Sequence, residues 1–301
     1  MQMRAMVINS YGGTDVLEAA EVPIPALASG EVLIKVNAAA VNPADGKWRS
    51  GRYQSFIPLT MPHILGYDIA GTVEAGEGFT RGMRVAAMLN PVTKGGYAEY
   101  VAVAAANVAP IPDNMSFETA AAVPCANLTG VQIIETGLDL QAGQRVLITG
   151  ALGNVGRAAM FVARGRAGHV IAAVRADRAG EARDAGAAEI AIVGEDWTGE
   201  AFDVIADTIG GTDVVALMHH LKPGGRIVTA SDIPIPADDL PAAPEFHSVN
   251  PDGQQLAQIL AAVASGDLPV PIDRVLPLEA AAEGQSAVDQ GGLRGKIILK
   301  P

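Results

Sequence analysis

Short apolar runs, separated by clusters of glycine and proline, dominate residues 1–110. Runs of this length, rich in β-branched residues and bounded by turn-forming residues, are typical of β strands. The pattern predicts strands at residues 4–9, 31–38, 69–74, 84–88 and 98–103. A series of short strands of this kind indicates a compact barrel or sandwich.

The pattern changes near residue 144, where apolar runs begin to alternate with segments of helical periodicity. Strands are predicted at residues 145–149, 169–174, 189–193, 203–207 and 225–230, and helices at 155–166, 178–185 and 212–221. Near-continuous apolar strands that alternate with helices form a parallel sheet covered on both faces. Before this region, Ser116 is predicted to cap a helix at 117–122 that Pro124 ends, and residues 129–136 are predicted to be helical.

The remainder of the chain begins with a proline-rich stretch at residues 234–244, which predicts a loop. Asn250 is then predicted to cap a helix that has Pro251 at its first position and ends at Gly266. Leu256, Ile259, Leu260 and Val263 would form the apolar stripe of this helix. Closing strands are predicted at residues 274–276 and 295–299.

Composition narrows the function classes. Of the 301 residues, 49% are hydrophobic and 18% charged, which is typical of a globular protein, and the formal net charge is −12. An acidic surface repels phosphates, so neither nucleic acid nor an anionic membrane is an expected partner. Cys125 is the one cysteine, so no internal disulfide is expected. No signal peptide or spanning segment is apparent, and the expected location is cytoplasmic.

The junction between the apolar run 145–149 and the following helix carries glycines at positions 150, 153 and 156. A glycine-rich turn between a strand and a helix allows a dinucleotide pyrophosphate to approach free backbone N–H groups. The spacing does not meet the strict G-x-G-x-x-G fingerprint, because position 151 is alanine, so an ordinary strand-to-helix turn is the alternative. The predicted cofactor-binding turn consists of Gly150, Ala151, Leu152, Gly153, Asn154, Val155 and Gly156.

Several segments together resemble the zinc-independent quinone oxidoreductases of the medium-chain dehydrogenase/reductase superfamily, the group that includes zeta-crystallin. The matching segments are YGGTDVL at 11–17, GEVLIKV at 30–36, VNPAD at 41–45, GYDIAG at 66–71, GGYAEY at 95–100, the turn at 150–156, DTIGG at 207–211, LKPGGR at 221–226 and RGK at 294–296. The resemblance implies an α/β protein with a GroES-like β-barrel catalytic domain and a Rossmann cofactor domain with a doubly wound parallel sheet. The expected boundaries are 1–122 with 250–301 for the catalytic domain and 123–249 for the cofactor domain.

The cofactor is predicted to be NADPH. Sheets that bind NAD usually carry Asp or Glu after the second strand, where the carboxylate contacts the ribose hydroxyls. Here Arg175 occupies that position and Arg178 lies one turn further on. A guanidinium can hold a 2′-phosphate, although both arginines are also compatible with an ordinary charged surface. The resemblance adds further predicted cofactor contacts at Thr129, Thr208, Ile209, Phe246 and His247.

No metal is expected. Zinc-dependent relatives bind the metal through an early cysteine, a Gly-His-Glu motif and a later cysteine. Here residues 42–45 contain no thiol, and Tyr67 stands at the histidine position. Cys125 alone falls at a ligand-like position, and a catalytic zinc takes three protein ligands.

The reaction expected from the resemblance is hydride transfer to an acceptor that is already electrophilic, either a quinone or an α,β-unsaturated carbonyl. The candidate catalytic residues are Asn42, Asp45, Lys47 and Tyr67. Lys47 would donate to the developing oxyanion and Asp45 would orient it, or the two form an ordinary surface pair. Tyr67 would line the pocket or simply pack, and the same two interpretations apply to Trp48, Tyr53 and Phe56.

Two alternatives stay open at the level of sequence. The chain is also compatible with an NADPH-binding crystallin-like or sensor protein that has little turnover, because such a protein would share the glycine turn and Arg175. A reductase of enoyl thioesters would require a larger acceptor cleft. A homodimer is expected by analogy with relatives.

Overall fold

The computed structural model describes residues 1–166, 169–236 and 239–301. These residues divide into two compact units, Met1–Cys125 with Pro251–Pro301, and Ala126–Asn250. The predicted domain boundaries, after residues 122 and 249, fall three residues and one residue before these divisions. None of the helices in the described ranges is long and apolar enough to cross a bilayer.

The first unit is built mainly from β strands. Its elements up to the second unit are β1 Gln2–Ile8, β2 Leu17–Pro23, β3 Glu31–Val41, α1 Pro43–Arg49, β4 His63–Ile64, β5 Asp68–Gly76, β6 Arg84–Met88, β7 Tyr100–Ala104, β8 Val108–Pro110, α2 Phe117–Ala121 and the start of α3 Pro124–Gln132. The five strands predicted in this region are confirmed as β1, β3, β5, β6 and β7, with ends shifted by up to three residues. The periodicity did not reveal β2, whose residues are mostly exposed, or the very short β4 and β8.

The second unit alternates strands and helices. After the rest of α3 it contains β9 Arg145–Thr149, α4 Asn154–Arg166, β10 His169–Val174, α5 Ala179–Asp184, β11 Glu189–Ile192, β12 Phe202–Asp207, α6 Asp213–Met218, β13 Leu221–Thr229 and β14 Glu245–Phe246. The chain then returns to the first unit as α7 Gly253–Ala264, β15 Ile272–Pro277, α8 Ala281–Gln290 and β16 Lys296–Lys300.

The C-terminal segment completes the larger sheet of the first unit, whose order is β15-β16-β3-β5-β6-β8, with β7 also paired to β3. β16 pairs antiparallel with β3, so that Ile297 lies opposite Val41. Both side chains belong to one buried cluster with Ile34, Ile69 and other residues of this sheet. Burial of these aliphatic side chains ties the two distant parts of the chain into one unit.

The sheet of the second unit is parallel throughout, in the order β11-β10-β9-β12-β13-β14. Successive residues of β9 point to opposite faces: Val146 and Ile148 join one buried cluster, and Leu147 joins another. Because both faces are covered, the central strands β9 and β10 are apolar and buried at nearly every position, as the sequence predicted.

Two predicted helix ends differ from the structure. Asn250 does not cap α7; Asp252 does, by accepting a hydrogen bond from Gln255 N at 2.9 Å. The backbone of Asn250 is instead held by the side chain of Gln132, which it meets at 2.9 and 2.8 Å. Pro124 begins α3 and does not end α2, whose predicted cap, Ser116, is confirmed. Residues 237 and 238 of the proline-rich stretch lie outside the described residues.

Candidate functional site

The glycine turn of the second unit joins β9 to α4. Gly150 has a φ of 57°, which favours glycine, and its carbonyl accepts from Gly153 N at 2.8 Å. A Cβ atom on Gly156 would lie 2.6 Å from Ala151 Cα and 2.8 Å from its carbonyl carbon. The first turn of α4 therefore packs directly on the backbone of the turn, which only a glycine at position 156 permits.

The neighbouring loop is fixed by a buried carboxylate, Asp207, at the end of β12. Its oxygens accept from the hydroxyls of Thr149 at 2.6 Å and Thr229 at 2.5 Å, and from Gly210 N at 3.1 Å. Thr208 completes the arrangement, because its hydroxyl donates to the Thr149 carbonyl at 2.8 Å. The ends of β9, β12 and β13 are thus held together. The sequence had placed Asp207 only within a matching segment; a carboxylate after an apolar strand was the available signal for its role.

These features fit a bound dinucleotide. Side chains are absent where the turn is most closely packed, and the 13-residue helix α4 begins within the turn, at Asn154. The N-terminus of a helix presents unpaired N–H groups and a partial positive charge, both of which favour a pyrophosphate. Among the predicted contacts, Gly150–Gly156 and Thr208 lie together at this edge of the sheet, and Ile209 follows Thr208 with its N–H bound to Asp207 at 3.2 Å.

The two arginines predicted to contact the cofactor have different surroundings. The side chain of Arg175 is 75% exposed and forms a loose ion pair with Asp177 at 3.7 Å. Arg178 is only 22% exposed and donates to Glu181 at 2.6 and 2.9 Å. Glu181 also accepts from Arg157 at 2.5 Å. Sequence reasoning missed Glu181 and Arg157, although the i,i+3 spacing of Arg178 and Glu181 is a recognisable ion-pair signal.

The other predicted cofactor residues lie in α3, in β14 and directly after β14. Thr129 is buried in α3, whereas the ring of Phe246 is mostly exposed. The backbone N–H of His247 donates to the carbonyl of Thr229 at 2.8 Å, which places His247 beside the end of β13. Burial lowers the pKa of His247, and its buried Nε2 has no hydrogen-bond partner among the described residues. His247 is therefore neutral at pH 7 and retains an unused polar atom.

The first unit contains a buried polar cluster around Asp68. Asp68 accepts from Asn42 Nδ2 at 2.9 Å and from Cys125 N at 2.7 Å, and Lys296 Nζ lies 3.6 Å from it. Lys296 also donates to Asn42 Oδ1. Burial raises the pKa of Asp68, while Lys296 and Asn42 act in the opposite direction. Asn42, a predicted catalytic residue, is thus held between a buried carboxyl group and a buried lysine.

Asp45 lies in the first turn of α1 and is fully buried. It accepts from Asn42 N at 2.8 Å and from the Tyr97 hydroxyl at 2.9 Å. Burial raises the pKa of Asp45 to about 7, and its Oδ1 has no hydrogen-bond partner among the described residues. Lys47 follows two positions later, a spacing at which helical side chains do not face each other, and it is only partly buried. The contacts of Asp45 thus stabilise the start of α1 and Tyr97, and its predicted role toward Lys47 stays a prediction.

Tyr67 is oriented by Trp48. The indole N–H of Trp48 donates to the Tyr67 hydroxyl oxygen at 2.8 Å, and the Trp48 ring packs edge-on against Tyr53 at 4.9 Å. Burial raises the pKa of Tyr67, so its hydroxyl stays protonated at neutral pH. Its oxygen already accepts from Trp48, which leaves its proton available to another acceptor. Phe56, by contrast, is 83% exposed.

No group of three or more His, Cys, Asp or Glu side chains with metal-binding geometry occurs in the described ranges. Cys125 is partly buried. The nearby carboxylate of Asp68 already has partners in Asn42, Lys296 and the Cys125 N–H.

Two family models match the chain. Residues 28–113 match the alcohol dehydrogenase GroES-like domain, and residues 167–299 match the zinc-binding dehydrogenase domain. Human quinone oxidoreductase is 30% identical, in an alignment that covers 99% of this chain and 97% of the relative. An NADPH-dependent alkenal/one oxidoreductase from Arabidopsis thaliana is 28% identical and is covered to 80% by the full chain. A solved structure described as an NAD-dependent alcohol dehydrogenase is 31% identical, with a TM-score of 0.88 and coverage of 99% of this chain and 100% of the other.

The barrel-like first unit and the parallel-sheet second unit are those of the medium-chain dehydrogenases/reductases, whose members use a nicotinamide cofactor. The chain belongs to this superfamily and, within it, to the quinone oxidoreductase family. It is accordingly an oxidoreductase, and the predicted fold class and family resemblance are confirmed.

Proposed function

We propose that the protein is an NADPH-dependent reductase that transfers hydride, without a metal, to quinones or α,β-unsaturated carbonyls. The observation that carries the proposal is the exposed guanidinium of Arg175 directly after β10, where NAD-binding sheets place a carboxylate. The names of the relatives point to both kinds of acceptor, a quinone and an alkenal or enone. They also include both NADPH and NAD, so the nucleotide preference must be argued from this chain's own residues.

The residues of the second unit fit the nucleotide as follows. The N–H groups of the glycine turn would hold the pyrophosphate, and Arg175 would hold the 2′-phosphate by charge-assisted hydrogen bonds. When bound, the nicotinamide supplies the hydride. Thr208 and Ile209 lie in a loop whose N–H groups at Ile209 and Gly210 donate to Asp207, and these hydrogen bonds position this wall of the proposed site.

Tyr67 is the proposed proton or hydrogen-bond donor to the acceptor's carbonyl oxygen. As hydride adds to an enone or quinone, negative charge develops on that oxygen, and a fixed donor stabilises the charge. Trp48 fixes the Tyr67 hydroxyl and burial keeps it protonated. Asp68, which follows Tyr67, already accepts from Asn42 and the Cys125 N–H and lies 3.6 Å from Lys296, so the proposed mechanism gives it no role in binding a metal.

Replacing Arg175 by alanine tests the cofactor assignment. We expect the dissociation constant for NADPH to rise by about tenfold or more while that for NADH changes little, because a charge-assisted contact to the 2′-phosphate is lost. Calorimetric titration of both nucleotides measures the two constants. Arg183→Ala is a matched control, since Arg183 is an exposed arginine of α5. An unchanged ratio of the two constants in Arg175→Ala would refute the preference for NADPH.

Replacing Tyr67 by phenylalanine tests the donor. The variant keeps the ring and loses the hydroxyl, so kcat for 1,4-benzoquinone or an alkenal should fall by roughly 10²-fold with little change in NADPH affinity. Trp48→Phe should give a smaller fall, because Tyr67 keeps its proton but loses the group that orients it. Tyr100→Phe, on β7, serves as the control. The measurement is NADPH consumption at 340 nm. Full turnover by Tyr67→Phe excludes the donor role. If the wild type binds the nucleotide but turns over neither acceptor, the result favours a sensor-like protein.

A further inference from the structure

A three-residue cluster of charges lies beside the proposed nucleotide site. The carboxylate of Glu181, in α5, accepts through one oxygen from Arg157 at 2.5 Å and through the other from Arg178 at 2.6 and 2.9 Å. The side chains of Arg157 and Arg178 are 12% and 22% exposed. Glu181 thus lies between two arginines whose own positions are well defined.

The cluster connects the two parts of the chain on which a dinucleotide depends. Arg157 belongs to the first turns of α4, and its Nε donates to the carbonyl of Leu152 in the glycine turn at 3.1 Å. Arg178 N donates to the carbonyl of Arg175 at 3.0 Å, so Arg178 is part of the turn that follows β10. Phosphate-binding and ribose-binding segments are therefore joined through a single carboxylate, that of Glu181.

The charges of the cluster determine what an incoming phosphate meets. The hydrogen bonds from Arg178 and then Arg157 lower the pKa of Glu181, so it is ionised at neutral pH. The negative charge of Glu181 offsets the positive charge of Arg178, whose guanidinium already donates through two nitrogens. A phosphate that approached Arg178 would have to compete with this carboxylate and would be repelled by it. Arg175 contacts only Asp177, at 3.7 Å, so among the described residues no carboxylate competes for its guanidinium as closely as Glu181 does for that of Arg178.

We propose that Glu181 is a specificity-determining residue that withholds Arg178 from the 2′-phosphate, so that the preference for NADPH over NADH rests on Arg175 alone and is limited. This inference rests on the proposed NADPH site and adds to it a residue that acts against the phosphate. Removing the carboxylate releases a second guanidinium at the same turn and strengthens the preference.

The test uses two small probes that isolate the 2′-phosphate, adenosine 2′,5′-bisphosphate and adenosine 5′-monophosphate, titrated calorimetrically into the full-length protein. The measured quantity is the ratio of the two dissociation constants, in which general damage to the site cancels. In Glu181→Gln the preference for the bisphosphate should increase by about five- to tenfold, because one opposing charge is removed. The binding should also depend more steeply on salt concentration. Glu195→Gln, an exposed residue beyond β11, controls for the change in net charge.

Arg178→Ala provides a second test that does not depend on the folding of Glu181→Gln. If Glu181 keeps Arg178 from the phosphate, Arg178→Ala lowers the preference for the bisphosphate by less than about twofold. If Arg178 contacts the phosphate directly, the preference falls by about tenfold. In the double variant Glu181→Gln/Arg178→Ala the gain should disappear. The inference is overturned if the preference for the bisphosphate is unchanged or reduced in Glu181→Gln, or falls about tenfold in Arg178→Ala. The proposed NADPH site itself still stands in that case, provided that Arg175→Ala lowers the preference. A wild type without any preference for the bisphosphate overturns both.

Discussion

Replacing Asp68 by asparagine is expected to lower the free energy of unfolding of the first unit by about 3–5 kcal/mol. The change leaves the buried Lys296 ammonium without its carboxylate partner, and it then contacts only the amide oxygen of Asn42 among the described residues. Removing one member of a buried pair costs much more than the pair contributes, because the other charge stays desolvated. Asp68→Asn should therefore lower the free energy of unfolding more than the replacement of an exposed charged residue does.

Urea denaturation followed by tryptophan fluorescence measures this effect. The chain contains two tryptophans, and Trp48 lies in the first unit, so a Trp197→Phe background reports on that unit alone. Asp113→Asn is the control, since Asp113 is exposed, and should change the stability by less than about 0.5 kcal/mol. The double variant Asp68→Asn/Lys296→Met should recover part of the loss, because no buried charge remains unpaired. A loss below about 1 kcal/mol in Asp68→Asn would show that Lys296 is satisfied without it.

The second unit was predictable from local sequence because its organisation is local. Apolar strands alternate with helices, and the turn that joins β9 to α4 carries its glycines within seven consecutive residues. The pattern therefore placed β9 and β10 with their ends unchanged and identified Arg175 from its position after the second strand. The resemblance of several segments in their order along the chain then gave the fold of the whole.

Contacts between distant residues were not predictable in the same way. Lys296 bonds to Asn42, 254 residues away in the sequence, and nothing in the short strand Lys296–Lys300 distinguishes its buried first lysine from its exposed last one. The contact between Glu181 in α5 and Arg157 in α4 depends on which side of α4 faces α5. Periodicity alone does not specify that side. The predicted cap of α7 was wrong for a different reason, because Asn250 and Asp252 are both residue types that suit an N-cap. Only the structure shows that Asn250 bonds to Gln132 and that Asp252 caps the helix.

Replacing Gly156 by alanine is expected to weaken NADPH binding by about tenfold or more and to destabilise the second unit by about 1–3 kcal/mol. The new Cβ would lie 2.6 Å from Ala151 Cα, a distance that real Cβ atoms do not adopt, and the obstacle is backbone that cannot rotate away. Either α4 or the glycine turn must shift. Because the N–H groups of the turn and the helix start form the proposed phosphate site, either shift misplaces the donors.

Gly165, in the same helix, supplies the matched control for Gly156→Ala. A Cβ on Gly165, near the end of α4, meets nothing within 4 Å among the described residues. Gly165→Ala should leave the dissociation constant for NADPH unchanged and raise the melting temperature slightly, since alanine favours an exposed helix position by up to about 1 kcal/mol over glycine. Wild-type affinity in Gly156→Ala would place the nucleotide elsewhere. A loss confined to Gly156→Ala shows that close packing of α4 on the turn, rather than the glycine content of the helix, determines cofactor affinity.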